Sequence, residues 1–237
     1  MDRIIQQLPR FFSPGNISLL LDAAGTTLAL TFIGCVSGFL LAFLIVFLRQ
    51  TPGIWALPLR LLGIAYVEVF RRIPFLVVTY LVLFFIQTFQ SDASLFTIAV
   101  VAICIYATAY TAEIIRGGFE SVARQQIEAA TAMNFTRWQT LRGVIIPQSW
   151  PVILPPAVAF AVGFIKDTAL VSQVGVFELT FRGKELNNGG FSGILVFGTI
   201  ALIYFGISYP LSRFGRWLES RLASSRSEKP RKRLRTS

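Results

Sequence analysis

The sequence contains no histidine and few charged residues. Only 14% of its 237 residues are Asp, Glu, Lys or Arg, whereas 54% are hydrophobic; soluble domains usually carry about 25% charged residues. The absence of histidine excludes a Ser-His-Asp triad, a histidine metal site and an imidazole proton relay. Both cysteines, Cys35 and Cys104, fall inside apolar segments, which favours packing over a disulfide or a metal site. The composition is typical of an integral membrane protein.

A phosphate-binding loop of the form G-x-x-x-x-G-K-[ST] is also missing. The one Gly-Lys pair, Gly183-Lys184, lacks both the upstream glycine and the following Ser or Thr. No carboxylates recur on one apolar helix as proton coupling requires, and no inverted repeat is evident. A membrane-embedded enzyme is therefore disfavoured, and a self-contained secondary transporter or channel stays as the alternative. Any work that costs free energy must be driven by another subunit.

Long charge-free runs predict an all-α membrane protein, because roughly 20 apolar residues cross the hydrocarbon core as a helix. Five runs predict five transmembrane helices: 23–48, 73–91, 93–112, 143–165 and 186–212. The fourth contains four prolines, so it is expected to start late or to kink. The fifth is expected to begin near Gly193. The apolar stretch LLGIAYV at 61–67 is too short to span and is expected at the interface or in protein contacts.

The distribution of Lys and Arg predicts the orientation, because cytoplasmic loops collect these residues. They cluster after the first run, before the second, after the third and in the tail, but are absent from the connection 87–94. The prediction is an outer N-terminal flank (1–22), a transmembrane domain (23–220) and a basic cytoplasmic tail (221–237). In this orientation Arg182 and Lys184 lie on the outer side, and they are exceptions to the cytoplasmic excess of Lys and Arg. The net charge of +10 also permits nucleic-acid binding, but a tail near anionic lipid is favoured.

The polar segment 121–147 interrupts the apolar pattern with two short predicted helices. Residues 121–133 are rich in helix formers, with Ser121 as the predicted N-cap. Asn134 stands where a left-handed residue commonly ends a helix. Thr136 and Gln139 fit a T-x-x-Q capping box, so a second helix is predicted from about Arg137 to just before Pro147. A cytoplasmic loop that folds into two helices at the membrane interface, without any further function, would give the same local sequence pattern.

The predicted tip presents residues suited to a protein partner. Ala129, Ala130 and Ala132 permit close approach of a partner's backbone. Glu128, Arg137 and Trp138 offer a charge, a bidentate donor and an aromatic anchor. These features favour a docking surface over a plain loop.

This hairpin resembles the EAA loop of ABC-transporter permeases. The matching residues are Glu128-Ala129-Ala130, Asn134 in place of the family's glycine, and Val144-Ile145-Ile146-Pro147. Further segments resemble, in order and spacing, the polar amino-acid uptake permeases (histidine, lysine, arginine, glutamine or opine type) over residues 24–220. They are YVEVFRRIPFLV at 66–77, YTAEIIRGGFESVARQQIEAA at 110–130, TRWQT at 136–140, LPP at 154–156 and IKDTALVSQVGVFELT at 165–180.

The resemblance implies a type I ABC importer-like permease in a bacterial inner membrane. Two permease subunits would pair, each docking its EAA loop on a cytoplasmic ATPase dimer that binds ATP and Mg²⁺, while a binding protein delivers a polar amino acid. This chain would hold no cofactor and bind no nucleic acid. The implied ATPase-coupling residues are Glu128, Ala129, Ala130, Asn134, Arg137 and Trp138.

The implied substrate pathway is less polar here than in the family. Its candidate residues are Ala159, Phe160, Lys166, Asp167 and Thr168. The family often has Asn and another polar residue where this chain has Ala159 and Phe160, so the polar contacts are expected from a second, non-identical permease. Glu113 is expected to pair with Arg116, and Glu68 with Arg71 and Arg72, in structural ion pairs.

Overall fold

The structure, a computed structural model, describes residues 2–50, 53–90 and 92–227. Within these ranges the chain is helical and contains no strand, which confirms the all-α prediction. The helices are α1 (Asp2–Phe11), α2 (Pro14–Gln50), α3 (Leu57–Phe70), α4 (Phe75–Phe89), α5 (Leu95–Glu120), α6 (Arg124–Ala132), α7 (Arg137–Thr140), α8 (Ile146–Asp167), α9 (Leu179–Asn188) and α10 (Gly193–Ser227). Shorter helical turns, Ile54–Ala56, Leu141–Ile145 and Thr168–Val174, join some of them.

Four segments in the described chain are long and apolar enough to cross a membrane: Pro14–Gln50, Leu95–Glu120, Arg137–Val174 and Gly193–Leu222. The predicted second span corresponds to α4, which belongs to a bent pair: α3 with its leading turn meets α4 at 117°. With this pair counted as one span, the described residues contain up to five spans, the predicted number. Pro74 causes the break, because the residue before a proline disfavours helical backbone. The stretch 61–67 lies inside α3 and buries Gly63 and Val67, which places it in protein contacts.

The boundaries of the outer helices differ from the apolar runs. Helix α2 begins at Pro14, so residues 14–22 extend the first spanning helix instead of forming a separate flank. Helix α10 begins at Gly193, as predicted, and continues to Ser227. The rest of the predicted tail, including RKRLR at 231–235, lies outside the described residues.

The central contact of the fold joins α2 to α5 through small residues. A Cβ added to Gly38 would lie 2.7 Å from the Cβ of Ala107 and 2.9 Å from the backbone nitrogen of Thr108. One turn earlier, a Cβ on Gly34 would lie 2.3 Å from a side-chain carbon of Ile103. The glycine spacing in α2 is therefore used for helix packing, as is common in membrane helices.

Candidate functional site

The first half of the hairpin starts later than predicted. Ser121 does not cap α6: its backbone N–H still bonds to carbonyls of α5, and its hydroxyl donates to the carbonyl oxygen of Gly118 at 2.7 Å. Helix α6 begins after Ala123, which provides no side-chain cap. The prediction for Ser121 was wrong because this residue is engaged by the preceding helix, whose end the local pattern does not reveal.

The turn between α6 and α7 is fixed by two capping motifs, and both predictions for it are confirmed. Asn134 adopts a left-handed conformation with φ of 57°. Its N–H bonds to the carbonyl of Thr131 and that of Phe135 bonds to Ala130, each at 3.0 Å, which is the Schellman pattern. In the next helix, Thr136 and Gln139 form the reciprocal capping box. The tip is therefore a defined structure rather than a loose loop.

Replacing Asn134 by valine should open this turn, because a left-handed conformation costs a residue other than glycine roughly 1–2 kcal/mol and valine cannot form Asn's local hydrogen bonds. We expect hydrogen–deuterium exchange in the peptide 129–137 to rise about tenfold in Asn134→Val. Asn134→Gly should leave the exchange unchanged or slower, since glycine adopts this conformation freely. Equal exchange in the two variants would contradict the role of Asn134.

The second half of the hairpin is continuous with a spanning helix. The prediction that it ends before Pro147 was wrong: the chain passes from α7 through a π-helical turn, Leu141–Ile145, directly into α8. In that turn Ile146 donates its N–H to Leu141, five residues back, which widens the helix and accommodates Pro147, whose nitrogen cannot donate. Residues Arg137–Val174 thus form one long helical segment.

The exposed surface of the tip mixes charge with large apolar groups. Of the predicted coupling residues, Glu128, Ala129, Asn134, Arg137 and Trp138 are exposed, whereas Ala130 is buried inside the hairpin. Glu128 pairs with Arg124 at 3.2 Å along the same helix. Beside the tip, a cleft of ≈ 820 Å³ runs between the hairpin and the end of α2. Its lining includes Phe47, Ile127, Phe135, Trp138 and Leu141.

The predicted pathway residues do not face one surface. Ala159 and Lys166 line a groove of ≈ 490 Å³ between α8 and α10, where Arg216 and Glu219 add charges. Phe160 instead stacks on Tyr110, with ring centroids 5.4 Å apart, inside an aromatic cluster. The buried Thr168 donates its hydroxyl to the carbonyl of Ile165, while Asp167 is exposed.

Sequence reasoning missed a buried carboxylate, Glu178, although it stands alone in an apolar stretch. It caps α9 by accepting the Phe181 N–H at 2.8 Å, and it accepts the Tyr204 hydroxyl of α10 at 2.8 Å. Thr27 of α2 lies 3.5 Å from the same carboxylate. Burial raises the pKa of Glu178, although the N–H and hydroxyl donors oppose the shift. The group ties α2, α9 and α10 together.

Ion pairs form at the C-terminal ends of α3 and α5 as predicted, with one change of partner. Arg72 bonds Glu68 at 2.6 Å, and Arg116 bonds Glu113. Arg71 approaches Glu113 instead of Glu68 as its ion-pair partner. Arg49, which the sequence reasoning did not connect to this set, also approaches Glu113.

Apolar spanning helices with a capped hairpin at the end of one of them define the class of integral membrane proteins. Residues 24–224 match the family described as the binding-protein-dependent transport system inner membrane component, and the chain belongs to this family. It is thus a multi-pass inner-membrane permease subunit rather than an ATPase.

Relatives and solved structures agree with this family. The glutamine transport system permease protein GlnP of Escherichia coli K12 is 35% identical over 208 residues, which are 87% of this chain and 94% of GlnP. A probable amino-acid ABC transporter permease of Sinorhizobium fredii is 36% identical over 201 residues, covering 82% and 81%. A chain in the crystal structure of an amino acid ABC transporter with histidines has a TM-score of 0.81 at 29% identity, covering 92% and 98%.

Proposed function

We propose that this chain is the permease subunit of an ATP-driven importer that moves a polar amino acid, delivered by a binding protein, across the inner membrane. The glutamine permease among its relatives supports this substrate class. The ATP-driven mechanism is supported above all by the capped hairpin that is continuous with a spanning helix. Because the chain lacks a phosphate-binding loop, a separate ATPase dimer would bind ATP and Mg²⁺.

The hairpin would transmit movement as a rigid lever. When nucleotide binding closes the ATPase dimer, the docked hairpin moves as a body. Because Arg137–Val174 is one helical segment, this displacement reaches the groove that Ala159 and Lys166 line. Helix α8 also packs tightly against α5, because a Cβ added to Gly118 of α5 would lie 2.2 Å from a side-chain carbon of Ile153 of α8. A movement of α8 would therefore be passed to α5. Glu128, Ala129, Asn134, Arg137 and Trp138 would contact the ATPase, and Ala130 would hold the hairpin closed.

The proposed orientation places the hairpin and the C-terminus in the cytoplasm and the N-terminus outside. The excess of Lys and Arg near the hairpin and in the tail supports this arrangement. Helix α9, with Arg182 and Lys184, would then lie on the outer side, where a binding protein would dock.

Cysteine labelling tests the orientation. In a chain with Cys35 and Cys104 replaced by alanine, Asn188→Cys should react with a membrane-impermeant maleimide in spheroplasts, whereas Gln126→Cys should react only after lysis. Both native side chains are exposed in the structure, so accessibility of the residue itself is not limiting. Labelling of Gln126→Cys in sealed spheroplasts would invert the proposed orientation.

A second, non-identical permease would supply polar contacts to the substrate. This proposal is supported by the side chains here: Phe160 is partly buried and packs against the aromatic cluster, and Ala159 presents only a methyl group to the groove. Lys166 and Asp167 remain as the polar groups that this subunit would contribute near the pathway.

The function is tested by reconstituting the chain in liposomes with its ATPase, its binding protein and the second permease. Binding protein loaded with basic, acidic or amide amino acids should stimulate ATP hydrolysis several-fold for one class and little for the others. Uptake that proceeds without any ATPase would favour a secondary transporter. Full transport by a complex whose only permease is this chain would refute the heterodimer.

A further inference from the structure

Three arginines from three parts of the fold meet around Glu113, a set that we call the Glu113 junction. Arg116 of α5 donates to the carboxylate, from Nε to Oε2 at 3.0 Å and from Nη2 to Oε1 at 2.5 Å. Arg49 at the end of α2 and Arg71 at the α3–α4 bend approach Oε2 with their Nη1 atoms at 3.8 and 3.7 Å. These two distances are within ion-pair range but too long for hydrogen bonds.

The junction holds more cationic donors than it uses. Arg116 also bonds Glu120, and the neighbouring Glu68–Arg72 pair adds one group of each sign, so four guanidinium groups stand against three carboxylates. Nη1 of Arg49 and Nε of Arg71 are buried, yet neither has a hydrogen-bond acceptor among the described residues. Buried N–H groups in native proteins are nearly always paired with protein, water or an ion. The unused donors and the excess of positive charge make the junction suited to an anion with oxygen acceptors.

Arg49 and Arg71 are held in place by the protein. The guanidinium of Arg71 lies 5.7 Å from the ring centroid of Tyr110, whose hydroxyl donates to the Arg71 carbonyl at 3.2 Å. The stem of Arg49 packs on Gly63 of α3, where an added Cβ would lie 3.3 Å from its Cγ. Their side chains are 16% and 36% exposed, against 78% for the neighbouring Arg72. Guanidinium groups oriented in this way suit bidentate binding of phosphate oxygens.

The surroundings indicate that the anion belongs to a lipid. The charge-free run 23–48 that precedes Arg49 spans about 39 Å as a helix, more than the hydrocarbon core of roughly 30 Å, so the junction lies at headgroup depth. Helix α3 beside it is too short to span alone and has an exposed apolar surface on which an acyl chain can lie. That surface comprises Leu59, Leu61, Leu62 and Val69.

We propose that the Glu113 junction binds the phosphate of an anionic phospholipid, with Arg49 and Arg71 donating to its oxygens. Basic pockets between membrane helices recognise anionic headgroups in this way. The phosphate competes with Glu113 for the two guanidinium groups. The proposal does not depend on which substrate the protein transports.

Native mass spectrometry tests the site on the full-length chain in mixed micelles of phosphatidylglycerol and phosphatidylcholine. The wild-type chain should retain phosphatidylglycerol preferentially. Arg71→Gln should lower that retention about fivefold, whereas the matched control Arg72→Gln, one residue away and with the same charge change, should not. Glu113→Gln should raise retention, because the competing carboxylate is gone, and a merely misfolded protein would not show such a gain.

Two results would overturn the assignment. Equal retention by Arg71→Gln and the wild-type chain, or equal losses in Arg71→Gln and Arg72→Gln, would show that the junction is not the binding site. Displacement of the lipid by millimolar inorganic phosphate would show that the junction takes a soluble anion instead of a phospholipid headgroup.

Discussion

Replacing Glu128 by lysine is expected to abolish most ATP-driven uptake while the chain still inserts into the membrane. The Glu128 side chain is 64% exposed, and its pair with Arg124 is too solvated to contribute more than a few tenths of a kcal/mol. The substitution should therefore leave the hairpin folded. At the proposed docking surface, a reversed charge against a matched partner group costs about 2–5 kcal/mol, which lowers coupled transport by at least about 30-fold. Uptake of labelled substrate and co-purification of the ATPase measure the effect.

Gln126→Lys is the matched control for this experiment. It introduces the same lysine into the same helix, with a charge change of one unit instead of two, at a position two residues away and hence about 200° around the helix axis. Gln126 is also exposed, so the lysine meets no packing conflict. We expect nearly normal uptake and ATPase attachment in Gln126→Lys. Normal transport by Glu128→Lys would remove Glu128 from the docking surface, and equal losses in both variants would indicate a general effect of charge on the hairpin.

Gly38→Val is expected to prevent stable assembly of the helices. Its side chain would have to occupy the space of the Ala107 Cβ and of backbone atoms of α5, which cannot rotate away. Overpacking of a core costs about 1–3 kcal/mol, and we expect the upper end or more because α2 and α5 would have to separate. The thermal midpoint of the purified chain should fall sharply, and less protein should accumulate in the membrane.

Two other glycines of α2 separate this cause from a general effect on the helix. A Cβ at Gly25 meets nothing within 4 Å, so Gly25→Val should leave the thermal midpoint nearly unchanged. Gly34→Ala should also lower the thermal midpoint, but by less than Gly38→Val, because the added methyl group is smaller and meets the Cγ2 and Cβ of Ile103 at 2.3 and 2.7 Å instead of backbone atoms of α5. A fall of the same size in Gly25→Val and Gly38→Val would contradict the packing explanation.

The predictions that rested on a single residue's backbone preference are the ones that the structure confirms most closely. Asn134 takes the left-handed conformation, Thr136 and Gln139 form their reciprocal cap, and α10 starts at Gly193. Each depends on atoms within a few residues of the chain. Ser121 and Pro147 were misassigned for the opposite reason: the end of α5 and the π-helical turn before α8 decide their roles, and neither has a local signature.

The amino-acid sequence by itself determined that this protein is an all-α membrane permease with a capped hairpin. The apolar runs, the helix caps and the EAA pattern each consist of residues that are close together in the chain, so they can be recognised without the tertiary structure. Tertiary structure alone decided which side chains meet across helices. It brought Arg49 and Arg71 to Glu113, enclosed Glu178 between three helices, and turned Phe160 inward while Ala159 faces the groove. The direction in which each helix faces depends on its packing against distant segments, and no local pattern specifies that packing.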